Sequence, residues 1–510
     1  MLYNVTIMQR SVLKRGNKIL FILSVICAAF LLVGCSSLVD SHTAKQEMMQ
    51  SYMSGNNEAV EQVVAGKLQQ PGWFNDSVIN TGDELMWQLE AGSFYFHTGE
   101  YQKCIDHLSR AEKLIQEYDD RALISVRDTA AEAGAALVNL NVLPYRGFCR
   151  DRMALEIYKA LSYLALGRED AFRAQLRRLR YQQKKIQDDY RDFFERENNA
   201  VKAARKKDST AERAAKQSSP GRIAGHRRNK QFASDWRRMQ KIAHRGYGNF
   251  LNPAAIFLSG LGSLRDGNFD NAGIDFKRFY EAMPRNELAR KYYVTVLQKS
   301  ERNIPRALRR VKAFDFPLER DCVYVLTATG RSMALKSVSI HIPVAASWAM
   351  GEFYESDFSG CTVDVDGRRY ESMPLADMDA IMAQEYDELL PLLITRIVIN
   401  TAIKEAVRYG GTAIAAQHDE LLAVGVALGT SLYNELTNTA DTRSWEMLPK
   451  EFGLTQFPMP ENRKITVNLR GRQNAGTTIT LPENCRSAIV FVSAPSAQNV
   501  RCHILPIQSQ

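Results

Sequence analysis

Apolar positions recur along this chain with two different periods. From Leu85 to Tyr118 they fall three and four residues apart, which predicts two amphipathic helices. The first carries Leu89, Gly92 and Tyr95. The second carries Tyr101, Cys104, Ile105, Leu108 and Ala111, and Gly99 marks the turn between them. The pattern returns over Pro253 to Pro284 with Gly260, Gly267, Phe269, Ala272, Phe276 and Phe279. A weaker copy has Ala160, Tyr163, Gly167 and Ala171, with a turn that reads one residue short. An Ala-rich helix is predicted over 120–140 and a long charged helix over 173–197.

After Ala313 the period shortens to two. Segments 322–329 and 336–343 read as strands with Gly330 in the turn between them. Residues 361–370 read as a hairpin with Asp366-Gly367 at its turn. Asp364 and Asp366 suggest a calcium loop only until the missing later ligands are noticed. Helical spacing resumes over 375–438. There 421–436 is nearly apolar all round, with Gly425 and Gly429 four apart. That run is too short to span a bilayer and reads as part of a buried helical hairpin. Segments 464–469, 477–481 and 487–492 read as strands, which can join those before the hairpin in one sheet. The predicted fold is mainly α. A helical array over 83–313 precedes a smaller α+β domain, 314–510, with the helical hairpin 375–438 between its strands.

Charge changes this picture at one place. The chain of 510 residues carries a formal net charge of +9. Segment 198–245 alone holds fourteen Lys and Arg against Asp208, Glu212 and Asp235. It reads as a solvated, partly disordered basic insertion in the array. Lys206, Lys207, Arg227, Arg228, Arg237 and Arg238 are its candidate polyanion-binding residues, since basic runs attract polyanions. A charged face with no dedicated partner is the competing reading.

The N-terminus bears on location. Arg10, Lys14, Arg15 and Lys18 precede an apolar run from Ile19 to Val33, interrupted only by Ser24. That is the length of a signal peptide rather than of a membrane span. The run ends in Leu32-Val33-Gly34-Cys35, which looks like a bacterial lipobox. On that reading 1–34 is a signal peptide, Cys35 carries the lipid, and 35–82 is a tether with a leading helix. An uncleaved anchor is the alternative, disfavoured by the small Gly34 before Cys35. Ser36 follows the cysteine without an acidic retention signal, which implies the outer membrane, with the body facing the periplasm.

The helical pattern, a small residue with a glycine and aromatics at fixed offsets, resembles a tetratricopeptide (TPR) unit. Gly92 and Ala160 lie 68 residues apart, two periods of 34. Such arrays present a concave groove to a partner. The lipobox, the segment Tyr158 to Gln183 and "DTRSW…LP", Asp441 to Pro449, together resemble an uncharacterised family of bacterial TPR-type lipoproteins. The resemblance implies architecture and compartment, with a loose link to cell-envelope assembly, and no activity. Within its most specific element, Asp441, Arg443 and Trp445 are candidate contact or structural residues. The structural role is favoured: Arg443 pairs with Asp441 or a buried carbonyl, and Trp445 fills a gap.

Six cysteines follow Cys35 without metal spacing. In an oxidising compartment Cys485 and Cys502 are the candidate pair. The chain has no HExxH, GxSxG, Walker loop or Rossmann glycine run. His97 and His107 share one helical hairpin and read as surface or packing residues. No enzyme, cofactor, metal or nucleic acid is expected. The leading expectation is a lipid-anchored scaffold for an envelope protein. A polyanion binder for lipopolysaccharide or peptidoglycan is the second, and an enzyme with an unrecognised C-terminal site the third.

Overall fold

The computed structural model describes residues 43–507 apart from 74, 129–144, 208–218, 249, 343 and 396–439. Helix is the majority conformation, mixed with three sheets. The helices are α1 (43–54), α2 (Asn57–Leu68), α3 (Glu84–Thr98), α4 (Tyr101–Asp128), α5 (Cys149–Ala165), α6 (Glu169–Lys207), α7 (Pro220–Gly225), α8 (Lys230–Ala243), α9 (Pro253–Arg265), α10 (Phe269–Ala282), α11 (Glu287–Lys299) and α12 (378–395). From α2 to α6 and on through α9, α10 and α11, each helix packs against the next.

Three pairs, α3/α4, α5/α6 and α9/α10, close with the same turn. Gly99, Gly167 and Gly267 have φ of 85°, 67° and 68°, a left-handed backbone that glycine adopts without a Cβ clash. Each glycine N–H donates three residues back, and the following N–H donates five back, to Tyr95, Tyr163 and Ser263. This is the double-bonded ending that satisfies the last carbonyls of a helix. The α5/α6 turn is therefore not short. Gly167 keeps its offset, and buried Phe172 takes the place of a small residue. Small residues sit where paired helices touch. A Cβ on Gly92 would lie 2.2 Å from Leu108 Cδ2, and one on Gly260 would lie 3.0 Å from Phe276 Cζ. Ala160 and Ala272 are fully buried, and Tyr163 and Phe269 are half-buried beside them.

The inner helices are covered on both sides. In α3, 14 of 15 residues are buried, and in α9, 11 of 13, whereas α10 buries only 5 of 14. The second cover is the protein's own sheet, in the order β11-β10-β1-β7-β6. Its strands are β1 (Cys322–Thr329), β6 (Met373–Asp377), β7 (Glu451–Pro458), β10 (Ser487–Ser496) and β11 (Asn499–Ile507). β1 runs parallel to β10 and antiparallel to β7. Phe96 meets Phe491 at 5.0 Å and Phe257 meets Tyr324 at 6.2 Å. The groove face expected to stand open to a partner is thus filled. One continuous core runs from Met48 to Ile507, across the change of period at 313/314.

Every residue of β1 and β10 is buried, because a third layer covers the far face. It is the sheet β5-β4-β8-β9, built from β4 (Phe358–Val365), β5 (Arg368–Glu371), β8 (Lys464–Gly471) and β9 (Ala475–Thr480). Val363, Val365, Ile465 and Val467 of this layer meet Val323, Val325, Val490 and Val492. β4 and β5 form the predicted hairpin, with Asp366 and Gly367 both at positive φ. Asp364 accepts from Arg369 and Asn468.

Several expectations are corrected. The one leading helix expected within 35–82 is two helices, 43–54 and 57–68, with Met48, Val60 and Val64 buried, apolar positions masked by a polar composition that had suggested a tether. Segment 198–245 is not a loop in the part described. There α6 ends, and α7 and α8 follow. Ile223, Phe232 and Met239 bury against β2 (Ala334–Ile342) and β3 (Val344–Glu352), a hairpin clamped on another side by α12. Segment 375–377 is strand rather than helix, because its backbone extends the sheet through β7. The rest of the predicted helical hairpin, and the helix over 129–140, lie outside the described residues. Strand β2 does not pair with β1; the left-handed Gly330 turns the chain out to the separate hairpin. Cys485 and Cys502 are free thiols, as are the other four described cysteines.

Gly92→Ala tests the close approach of α3 and α4. Overpacking costs about 1–3 kcal/mol, offset by up to about 1 kcal/mol of helix propensity. The expected net loss is on the order of 1 kcal/mol, and smaller in a Leu108→Ala background, read from urea-unfolding midpoints.

Candidate functional site

The densest constellation of charged and polar side chains lies under residues 441–450. This segment crosses α3 and α5 as an extended strap before entering β7. A charge taken out of water needs a partner and hydrogen bonds, and each strap contact supplies both. Glu90, fully buried midway along α3, accepts the backbone N–H groups of Glu446 (2.8 Å) and Met447 (3.0 Å). Lys45 of α1 stands 3.4 Å from Glu90 and 3.1 Å from Glu446, and donates to the carbonyl of Ser444. Arg331 closes on Glu446 from the other side and stacks on Tyr354 at 3.8 Å. Burial pushes the Glu90 carboxyl above its usual range despite Lys45. Burial also works against Glu446, but Lys45 and Arg331 outweigh it and hold that carboxyl low.

At the start of α5, Arg150 is fully buried. Its guanidinium donates to Asp151 (2.9 Å), Ser332 Oγ (2.8 Å), Met333 O (3.2 Å) and Trp445 O (3.0 Å). Arginine's rigid fork of donors suits such a four-way junction. Asp379 accepts from Met333 N (2.6 Å), Ser332 Oγ (3.1 Å) and Lys450. Beside them Glu385 accepts from Cys149 N at 2.8 Å, and burial pushes its carboxyl up to about 8.

The sequence-marked residues sit in this strap. Arg443 makes a bidentate pair with Asp441 (2.9 and 2.8 Å) and reaches Asp83 (3.3 Å) and the Gly82 carbonyl (3.4 Å). Burial opposes its charge, but Asp441 and Asp83 hold its pKa above the ordinary value. Trp445 is fully buried, donates to Ser93 Oγ at 3.0 Å and packs 6.1 Å from the Tyr158 ring. Both side chains therefore lock the strap, the role the sequence favoured. These acids and bases bond mainly to one another and to the backbone, so the arrangement joins elements of the fold.

A second junction ties the array to the sheet. His97 lies between Ser493 Oγ (2.7 Å) and Asn499 Oδ1 (2.8 Å), and Tyr101 meets His503 Nδ1 at 2.8 Å. Burial lowers both histidines to about 4, so they are neutral links near pH 7. His107 stacks on Tyr95 and bonds Gln88 instead of approaching His97.

Four of the candidate basic residues lie on a separate surface. Arg227, Arg228, Arg237 and Arg238 are exposed on and before α8, while Lys206 and Lys207 close α6. Lys230, Arg237 and Lys241 share one outward face of α8. Among the described residues, no three His, Cys, Asp or Glu are placed to hold a metal ion, and no helix is long and apolar enough to cross a membrane. A shallow depression of about 270 Å³ on the β4–β8–β9 sheet is lined by Asp364, Arg369, Asn468 and Arg470. Leu32, Val33, Gly34 and Cys35 lie outside the described residues.

Sequence reasoning missed Lys45, Glu90, Arg150, Arg331, Asp379 and Glu446. One signal was present: Glu90 is the single charge in the stretch LMWQLEAGSFYF of α3. No protein-family profile, curated protein or solved structure matches the chain.

Arg443→Ala leaves Asp441 and Asp83 facing each other without their cation. The expected loss is about 3 kcal/mol, the cost of breaking a largely buried pair. Arg443→Lys keeps the charge but loses the fork and recovers only part of it. Urea unfolding of both variants reads this. An unchanged Arg443→Ala midpoint would show that the strap is not held by its charges.

Proposed function

We propose that this protein is a lipid-anchored scaffold of the bacterial cell envelope. Cys35 carries the lipid, and a TPR-like helical array offers its outer surface to an envelope protein. The observation that carries this reading is the join between lipobox and fold. Cys35 precedes the first described helical residue, Thr43, by only eight positions, and α1 packs at once into the core. A chain that short reaches at most about 28 Å, so an anchored body stays at the membrane surface. The recurrent glycine turns and the small residues between paired helices support the TPR-like part. With the inner face covered by the sheet, docking falls to the outer helices, where Tyr181 on α6 (66 % exposed) and Ile274 on α10 (50 % exposed) stand out. They are the sequence neighbours of Arg180 and Asp275, an ion pair joining those two helices.

A polyanion-binding role for the α7–α8 surface is the second reading. Its support is the outward row of cations on α8, whose buried Asp235 is already matched by Lys336. Lipopolysaccharide phosphates and peptidoglycan carboxylates are the anions available outside the cytoplasm.

One experiment tests the anchored scaffold. Cells are labelled with palmitate, and a photo-crosslinking residue replaces Tyr181. The expected result is a labelled, membrane-bound chain that captures one dominant envelope protein, with label and membrane retention both lost in Cys35→Ser. Unchanged labelling in Cys35→Ser removes the anchor. Capture of only scattered abundant proteins removes the scaffold.

A further inference from the structure

The most exposed large apolar side chain among the described residues is Trp73, at 94 %. It stands at the tip of the loop between α2 and α3, and the loop is built to hold it there. Asn75 accepts from Gly72 N (3.0 Å) and donates to the Gln70 carbonyl (2.7 Å). Ser77 Oγ donates to the Gln69 carbonyl at 2.7 Å. Pro71 and Gly72 lead into the tip, and Asp76 is the only charge between Gln69 and Ser77.

Contacts between α1, α2 and α3 fix which end of the molecule this is. Lys45 of α1 meets Met86 in the first turn of α3, and Tyr52 meets His97 near its last, so α1 runs parallel to α3. Glu61 of α2 meets Lys103 just past the α3 C-terminus, and the Lys67 carbonyl accepts from Val78 just ahead of α3, so α2 runs back. The start of α1, the end of α2 and the Trp73 loop therefore share one pole. Adjacent helices lie about 10 Å apart, and α1, which begins eight positions after Cys35, starts at this same pole.

We infer that the Trp73 tip is a membrane-interface contact, seated in the lipid head-group region beside the Cys35 anchor. Trp suits that layer because it buries an apolar ring while its N–H stays in reach of water and head groups. A second point of contact fixes the orientation of a body that a single lipidated residue leaves free to pivot. The inference rests on the lipid-anchor reading, and its test separates the two.

The full-length lipidated protein is reconstituted into phosphatidylethanolamine–phosphatidylglycerol vesicles carrying brominated acyl chains. Trp87, Trp348 and Trp445 are buried and Trp236 is half-buried, so the difference between wild type and Trp73→Phe isolates Trp73. Flotation reports the anchor, and quenching reports the tip. The expected result is that both proteins float and only wild type loses emission to the bromines. Flotation without Trp73-specific quenching overturns the inference, leaves the anchor standing and turns the tip over to a protein contact. A chain that does not float overturns both.

Discussion

A carboxylate in the wrong place for an ordinary helix, Glu90, is the point on which the fold turns. It lies in the dry middle of α3, where an unpaired charge is prohibitively costly. The strap supplies two backbone N–H groups and α1 supplies Lys45. That requirement pins three distant stretches together: the first helix, the third, and the segment leading into β7. Arg150 repeats the logic on α5, tying Ser332, Met333 and the Trp445 carbonyl to one guanidinium. Such networks add little net stability over a well-packed apolar core, but they penalise every arrangement that leaves one member alone. Here they fix where a sheet lies on a helical array.

That placement alters what the array can do. A run of helical hairpins normally leaves its inner face open to a partner. In this chain β1, β10 and β11 occupy the face, with Phe491 against Phe96 and His97 bonded to Ser493 and Asn499. The array is completed by its own C-terminal half. The outer helices, the cationic face of α8 and the pole bearing Trp73 lie outside this cover.

How much of this was legible depends on how local the cause is. The three glycine turns, the small residues between paired helices, strand β1 and the Asp366-Gly367 hairpin each follow from a few adjacent residues and appear where they were read, except that the α5/α6 turn, read one residue short, closes like the other two. The helix over 230–243 was hidden because Lys230, Arg237, Arg238 and Lys241 continue the basic run of 198–245, although Phe232 and Met239 keep helical spacing. Of α1 and α2 only one leading helix was expected, because the Ser, Gln and Glu of 37–70 mask their apolar positions. Strands β7 and β11 were not delimited, since their existence depends on pairing with β1 and β10. The strap network was least legible. A buried Arg150 or Glu90 looks like any surface charge until its partners, up to about 350 residues away, are in place. Arg443 and Trp445 were singled out by their setting in "DTRSW", and the structural role favoured for them is the one their contacts display.

The central claim is that array and sheet form one cooperative unit, held by the strap and a shared core. Native-state hydrogen exchange in increasing urea measures this directly. Amides in the middle of α3, around Leu89 to Tyr95, and in β10, around Ile489 to Val492, should merge into a single opening reaction with the same free energy and the same urea dependence. Separate openings of the two, with the sheet exchanging while the array stays closed or the reverse, would contradict the account.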